Sequence, residues 1–105
     1  MQATFERRSS ELSVTLQGDL IGGADAMSFS QSLKEWLSKA GDAKVEGIAI
    51  NVAGVGFVNS SGLGMLLGAR QSATEMQAKF RIEAPQEQLK HLLSITKLSD
   101  LLGVV

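Results

Sequence analysis

The spacing of apolar residues changes repeatedly along this chain, and this change limits the possible folds more than any other feature. Leu12, Val14 and Leu16 alternate with polar residues, which is the period of a strand with one buried face. Residues 26–40 instead carry apolar side chains at helical spacing. These residues are Met27, Phe29, Leu33, Trp36, Leu37 and Ala40. The chain therefore mixes strands and helices, and its 105 residues are enough for a single α/β domain over residues 1–105.

The same reasoning places the remaining elements. In chain order they are an edge strand at residues 3–7, a strand buried on both faces at 48–52, a helix at about 61–77, a strand at 80–82 and a helix carrying Leu89, Leu92 and Leu93. Together with the first strand and helix, these segments give the order β-β-α-β-α-β-α. This order predicts a mixed sheet with helices packed against it.

Several residues are suited to begin or end these helices. Asp25 can cap the first helix, and Gly41 can end it. Ser60 or Ser61 can cap the second helix. Pro85 is suited to the first turn of the third helix.

Composition excludes several classes of site. Ten Lys and Arg residues against eleven Asp and Glu give a net charge of -1, which disfavours nucleic-acid binding. The chain contains no cysteine and a single histidine, His91, so we expect no disulfide and no metal site. We also expect no bound cofactor. Residues 1–8 are polar, and the least polar stretch, residues 47–58, is too short to span a bilayer. We therefore expect a cytoplasmic protein without membrane insertion.

Motifs that would indicate catalysis are incomplete. Gly54 and Gly56 follow a predicted strand, but a dinucleotide fingerprint requires a third glycine where Asn59 stands. A nucleophile elbow at Ser60 requires a glycine in the place of Val58. With no general base at a suitable spacing, the sequence predicts a protein that is not an enzyme and has no catalytic residue.

Residues 47–69 contain no charged side chain, and the second half of this stretch is unusual for a helix. Gly62, Gly64 and Gly68 each cost up to about 1 kcal/mol of helix propensity relative to alanine. Such glycines indicate close approach by another backbone, either within the domain or from a partner. A second uncharged stripe lies beside the buried one and comprises Met65, Ala69, Ser72 and Met76. The alternative is purely structural, with a serine as helix cap and glycines that only permit packing on the sheet.

Residues 57–68 resemble the STAS domain and, within it, the bacterial anti-sigma factor antagonists. That group carries an Asp-Ser-Ser-Gly-Leu-Gly signature after an apolar strand, and this chain has Asn59 in the place of the aspartate, followed by Ser60, Ser61, Gly62, Leu63 and Gly64. Asp19 and its neighbours resemble the acidic turn after the second strand of the family. The resemblance extends over nearly the whole chain.

The resemblance implies a four- to five-stranded mixed sheet flanked by helices, no catalysis and no cofactor. It also implies a partner, an anti-sigma factor serine kinase of the histidine-kinase-like ATPase type. That kinase would phosphorylate Ser60, and a serine phosphatase would reset it. The expected partner-binding residues are Asp19, Asn59, Ser60, Ser61, Gly62, Gly64, Met65 and Ala69. The alternative implied by the wider family is a constitutive subunit that docks a transporter ATPase or a stress-signalling scaffold.

Overall fold

The computed structural model describes residues 1–38 and 45–104. Its elements are β1 (Gln2–Arg8), β2 (Glu11–Gln17), α1 (Ala24–Ser38), β3 (Gly47–Gly54), α2 (Ser60–Glu75), β4 (Lys79–Glu83) and α3 (Glu87–Ile95). The order β-β-α-β-α-β-α is the predicted one. The predicted end of the first helix, at Ala40 and Gly41, lies outside the described residues.

The described strands form one mixed sheet in the order β1-β2-β3-β4. β1 pairs with β2 in antiparallel orientation, whereas β2, β3 and β4 are parallel to one another. The mixed sheet is confirmed, with four strands among residues 1–38 and 45–104. Because parallel strands end at the same edge of a sheet, the segments that follow β2 and β3 emerge side by side.

The core lies between one face of the sheet and the helices. Leu12, Val14 and Leu16 of β2 are buried, which confirms the predicted alternation. The helices cover this face with side chains that belong to the same buried cluster. These side chains are Phe29 and Leu33 of α1, Leu63, Leu66 and Ala73 of α2, and Leu89 and Leu93 of α3.

An ion cluster lies at the amino-terminal end of β2, away from the segments that follow β2 and β3. The two terminal nitrogens of Arg81 donate to the Glu11 carboxylate at 2.9 and 2.7 Å, and Nε donates to Glu83 at 2.8 Å. Arg81 thus connects β4 to β2 across β3, where Gly47 has no side chain to block the contact. The guanidinium group lowers the pKa of the Glu11 carboxyl below its usual value.

The three predictions for helix starts are wrong. Asp25 lies inside the first turn of α1, which begins one residue earlier at Ala24. Asn59 caps α2, because its backbone is still extended (φ -99°) and its side chain reaches the first turn. Gln86 is the N-cap of α3, so Pro85 precedes that helix and does not lie in its first turn.

Candidate functional site

The segments that follow β2 and β3 are joined at the carboxyl-terminal edge of the sheet. The Leu20 N–H donates to the Phe57 carbonyl at 2.9 Å, and the Asn59 N–H donates to the Leu20 carbonyl at 3.2 Å. Leu20 and Val58 form an isolated parallel bridge. This pairing brings the segment that contains Asp19 next to the Asn59–Ser60 turn. Residues of both segments were predicted to bind a partner, although they lie in separate parts of the chain.

Asn59 uses both polar atoms of its side chain to hold this turn. Its Oδ1 accepts the Gly62 N–H at 2.8 Å, and its Nδ2 donates to the Ile21 carbonyl at 3.4 Å. An aspartate could accept the first bond but has no proton for the second when ionised. The asparagine therefore caps α2 without a charge and also connects α2 to the segment after β2.

Ser60 is the first residue of α2, and its side chain is exposed, as is that of Ser61. The backbone N–H groups of a first helical turn have no acceptor within the helix, and they give this end a partial positive charge. The first turn of α2 contains no acidic residue. The hydroxyl of Ser60 is therefore accessible at an electropositive helix terminus where an added anion would be tolerated.

The three glycines of α2 have different surroundings. Gly62 is buried, and a Cβ at this position would collide with the carbonyl group of Leu20. The close backbone approach predicted from the sequence is thus internal at this glycine. Gly64 and Gly68 instead face open space, with nothing within 4 Å of an added Cβ. Packing within the described part of the chain does not require glycine at these two positions.

Gly64 and Gly68 line a groove of about 220 Å³ between α1 and α2. The small side chains of Ser61 and Ser72 line the same groove. Met65 also borders it, but only 6% of Met65 is exposed because it packs into the core. Glycine backbone and serine side chains therefore form much of the surface of this groove on α2.

The structure divides the predicted partner-binding residues by accessibility. Asp19, Ser60, Ser61 and Gly64 are exposed, and Asn59 is half-buried. Gly62, Met65 and Ala69 are buried, with Ala69 only 2% exposed. The burial of these three residues gives no support to their predicted role in binding a partner. The sequence pattern could not reveal this burial, because an uncharged stripe on a helix looks the same whether or not a second helix covers it.

Two exposed apolar side chains beside the turn were not predicted. Ile21 is 53% exposed and Phe57 is 47% exposed, and both belong to the joined segments on either side of Asn59. The sequence carries little signal for them, since apolar residues between a strand and a helix are usually assigned to the core. They give the surface around Ser60 an apolar character.

Gln88 of α3 is a further residue that sequence reasoning did not single out. Its side chain forms hydrogen bonds to the backbone of Val58, two residues before Ser60.

Within residues 1–38 and 45–104, no group of three or more His, Cys, Asp or Glu side chains is placed to hold a metal ion. In the same described ranges, no helix has the length and apolar character needed to cross a bilayer.

A family model for the STAS domain matches residues 2–105. The chain belongs to the STAS domain family. This family assignment confirms the resemblance that was drawn from the segment around Ser60. No match to curated protein sequences was found.

Solved structures with the same fold come from several bacteria. The protein TM1081 of Thermotoga maritima superposes with a TM-score of 0.82 at 17% identity, over 97% of this chain and 84% of that one. An anti-sigma factor antagonist from Mycobacterium paratuberculosis gives a TM-score of 0.78 at 16% identity, over 98% and 83%. The Bacillus cell fate determinant SpoIIAA, in its phosphorylated form, gives 0.73 at 15% identity, over 99% and 91%. At these identities the likeness establishes the fold alone.

Proposed function

We propose that this STAS domain is an anti-sigma factor antagonist, a binding protein that captures an anti-sigma factor through the surface around Ser60. The single observation that carries the proposal is the exposed Ser60 at the amino terminus of α2, whose first turn contains no acidic side chain. The fold that the chain shares with an antagonist and with a phosphorylated SpoIIAA supports the same role. The proposed partner is a serine kinase of the histidine-kinase-like ATPase type, and a serine phosphatase would reverse its action.

The surface suits protein binding in the unmodified state. Ile21 and Phe57 offer apolar area beside Ser60, and Asp19 is an exposed acidic residue in the segment next to it. Apolar anchors within an otherwise polar surface supply much of the binding energy in protein interfaces. A partner for this surface would present apolar side chains opposite Ile21 and Phe57, with a basic group near Asp19.

Phosphorylation of Ser60 would change the interface far more than the fold. A phosphoserine adds about -1.5 to -2 charges at pH 7. At the amino terminus of α2 such a charge contributes about 0.3–1 kcal/mol in the favourable direction, so the domain remains folded. In a docked interface, an uncompensated charge costs about 3–5 kcal/mol, and each 1.4 kcal/mol is a factor of ten in affinity. The modification therefore acts by expelling the partner.

Asn59 makes this site more tolerant of a phosphate than an aspartate would. A carboxylate at position 59 would lie next to the modified serine and repel it. The neutral cap removes that repulsion while it keeps the bond to the Gly62 N–H. We propose that Ser60 accepts a phosphoryl group in spite of the missing aspartate.

A titration with the histidine-kinase-like anti-sigma factor from the same organism tests the proposal. Wild type is compared with Ser60→Asp and with Ser94→Asp. The second variant places the same charge on an exposed serine near the carboxyl-terminal end of α3. We expect Ser60→Asp to weaken binding at least tenfold and Ser94→Asp to bind like wild type. Equal affinities for all three proteins, together with no phosphate on Ser60 by intact mass after incubation with the kinase and ATP, would contradict the switch. That outcome would favour the constitutive subunit instead.

A further inference from the structure

The side chain of Gln88 takes the place of a neighbouring strand for Val58. Its Oε1 accepts the Val58 N–H at 3.1 Å, and its Nε2 donates to the Val58 carbonyl at 3.3 Å. A primary amide offers the same pair of donor and acceptor groups that a peptide unit offers in a sheet. Gln88 lies in the first turn of α3, 30 residues after the loop that it holds.

The opposite edge of the same loop is held by Leu20. Its N–H and carbonyl bond to Phe57 and Asn59, the residues on either side of Val58. The Val58 side chain is buried at 2% exposure. Residues 57–59 are therefore fixed from both sides, by the backbone of Leu20 and by the side chain of Gln88.

We propose that Gln88 is a positioning residue for the Ser60 site. The chain of contacts is short, because Gln88 fixes Val58, the next residue is Asn59, and the Asn59 side chain caps α2 at Gly62. Loss of the Gln88 amide removes both hydrogen bonds to the Val58 backbone and leaves the bonds to Leu20 in place. The Asn59 cap then forms for a smaller fraction of the time, and Ser60 is held less firmly in the orientation that a partner would recognise. The effect on partner binding rests on the proposed function, whereas the effect on the turn does not.

Gln86 provides a matched control, because it is also a glutamine at the amino-terminal end of α3. Its Nε2 donates to the Ala53 carbonyl at 2.6 Å. Ala53 lies within β3, several residues before the turn, so the Gln86 amide is bonded away from residues 57–59. Methionine is close to glutamine in length and forms no comparable hydrogen bonds, so Gln88→Met and Gln86→Met remove the amide while keeping most of the volume.

Amide hydrogen exchange on the free protein gives the first test. In Gln88→Met we expect the Val58 amide to exchange about fivefold faster, as the loss of one net hydrogen bond of about 1 kcal/mol allows. The Gly62 amide should also exchange several-fold faster although Gln88 does not touch it. The Leu66 amide, in the middle of α2, should stay within about twofold, which separates a local effect from general destabilisation. Gln86→Met should leave Gly62 unchanged. If only Val58 changes, or if Leu66 changes as much as Gly62, Gln88 does not position the cap.

Gln88→Glu adds a test by rescue. An ionised carboxylate can accept the Val58 N–H, but its second oxygen faces the Val58 carbonyl, which also lacks a proton. Protonation of the introduced carboxyl restores a donor at that place. We expect the amide resonances of Val58, Asn59 and Gly62 to move toward their wild-type positions as the pH falls through the pKa of this group. Resonances that stay displaced at all pH values would overturn the assignment.

Binding to the same anti-sigma factor kinase provides the functional readout. We expect Gln88→Met to weaken affinity about tenfold, and Gln86→Met to leave it within about twofold. If Ser60→Asp binds like wild type and Ser60 takes up no phosphate from the kinase, the proposed switch fails, while the exchange data still test the positioning role. If the turn loosens in Gln88→Met and affinity is unchanged, the role of Gln88 in partner recognition is overturned.

Discussion

Gly62 lies against the carbonyl group of Leu20, so closely that a side-chain carbon at position 62 has no space. This contact connects the first turn of α2 to the segment after β2. The same Leu20 carbonyl accepts the Asn59 N–H at 3.2 Å. The Ser60 turn is thus positioned by the contacts of Asn59 and Gly62 with Leu20, a residue that is far from them in the sequence.

Gly62→Ala and Gly64→Ala are expected to change stability in opposite directions. The methyl group at position 62 must displace Leu20, and such overpacking costs about 1–3 kcal/mol or more, which exceeds the gain in helix propensity of at most about 1 kcal/mol. At position 64 there is open space, so only the propensity gain remains. Urea unfolding of the two variants checks the signs. A stabilised Gly62→Ala would contradict the close approach to Leu20.

Asn59→Ala should lower the free energy of unfolding by about 1 kcal/mol, within the range of 0.5–2 kcal/mol for loss of a helix cap. Asn59→Asp keeps the bond to the Gly62 N–H and adds a favourable charge at the amino terminus of α2, but it loses the donor to the Ile21 carbonyl. We therefore expect Asn59→Asp to be more stable than Asn59→Ala. Chemical denaturation of both variants measures the difference. Equal loss in both would show that the cap does not act through Oδ1.

The order of elements was predictable because hydrophobic period is a local property, readable at Leu12, Val14 and Leu16. The cap of α2 was predicted at Ser60 or Ser61, one or two residues late, since asparagine and serine are both good caps. The contacts of the site could not be predicted in the same way. The Asn59–Ile21 hydrogen bond and the Gln88 contacts join residues that are far apart in the chain, and no local pattern encodes such pairings.

The Arg81–Glu11 pair is expected to add a pH-dependent contribution to stability. Arg81 lowers the pKa of Glu11 in the folded protein, so the contribution is present above the unfolded-state value of about 4.3. It is lost as the pH falls through the lower pKa of the folded state. Because the side chains of Arg81 and Glu11 are 39% and 35% exposed, solvent screening limits the contribution of the pair to about 1 kcal/mol or less.

Urea unfolding at a series of pH values, for wild type and Glu11→Gln, measures this contribution. Wild type should lose more stability than Glu11→Gln as the pH is lowered from about 5 through the folded-state pKa. Glu75→Gln, which changes an exposed glutamate at the end of α2, serves as the control and should follow wild type. Parallel curves for wild type and Glu11→Gln would show that the pair contributes nothing measurable.

Phe57→Ala and Ile21→Ala should each weaken binding to the proposed partner, an anti-sigma factor kinase, by about 1–2 kcal/mol, which corresponds to roughly five- to thirtyfold in affinity. Their exposure means that folding stability should change little. Ile95→Ala removes a comparably exposed apolar side chain at the end of α3 and should not affect binding. Isothermal titration of the three variants compares them directly. Loss of affinity in Ile95→Ala alone would place the interface elsewhere.

The most direct measurement is the affinity of the proposed partner, an anti-sigma factor kinase, for this domain before and after complete phosphorylation of Ser60, with intact mass to establish the modification. We expect the phosphorylated domain to remain folded by circular dichroism and to bind at least a hundredfold more weakly. A phosphorylated domain that binds as tightly as the unmodified one would contradict the account.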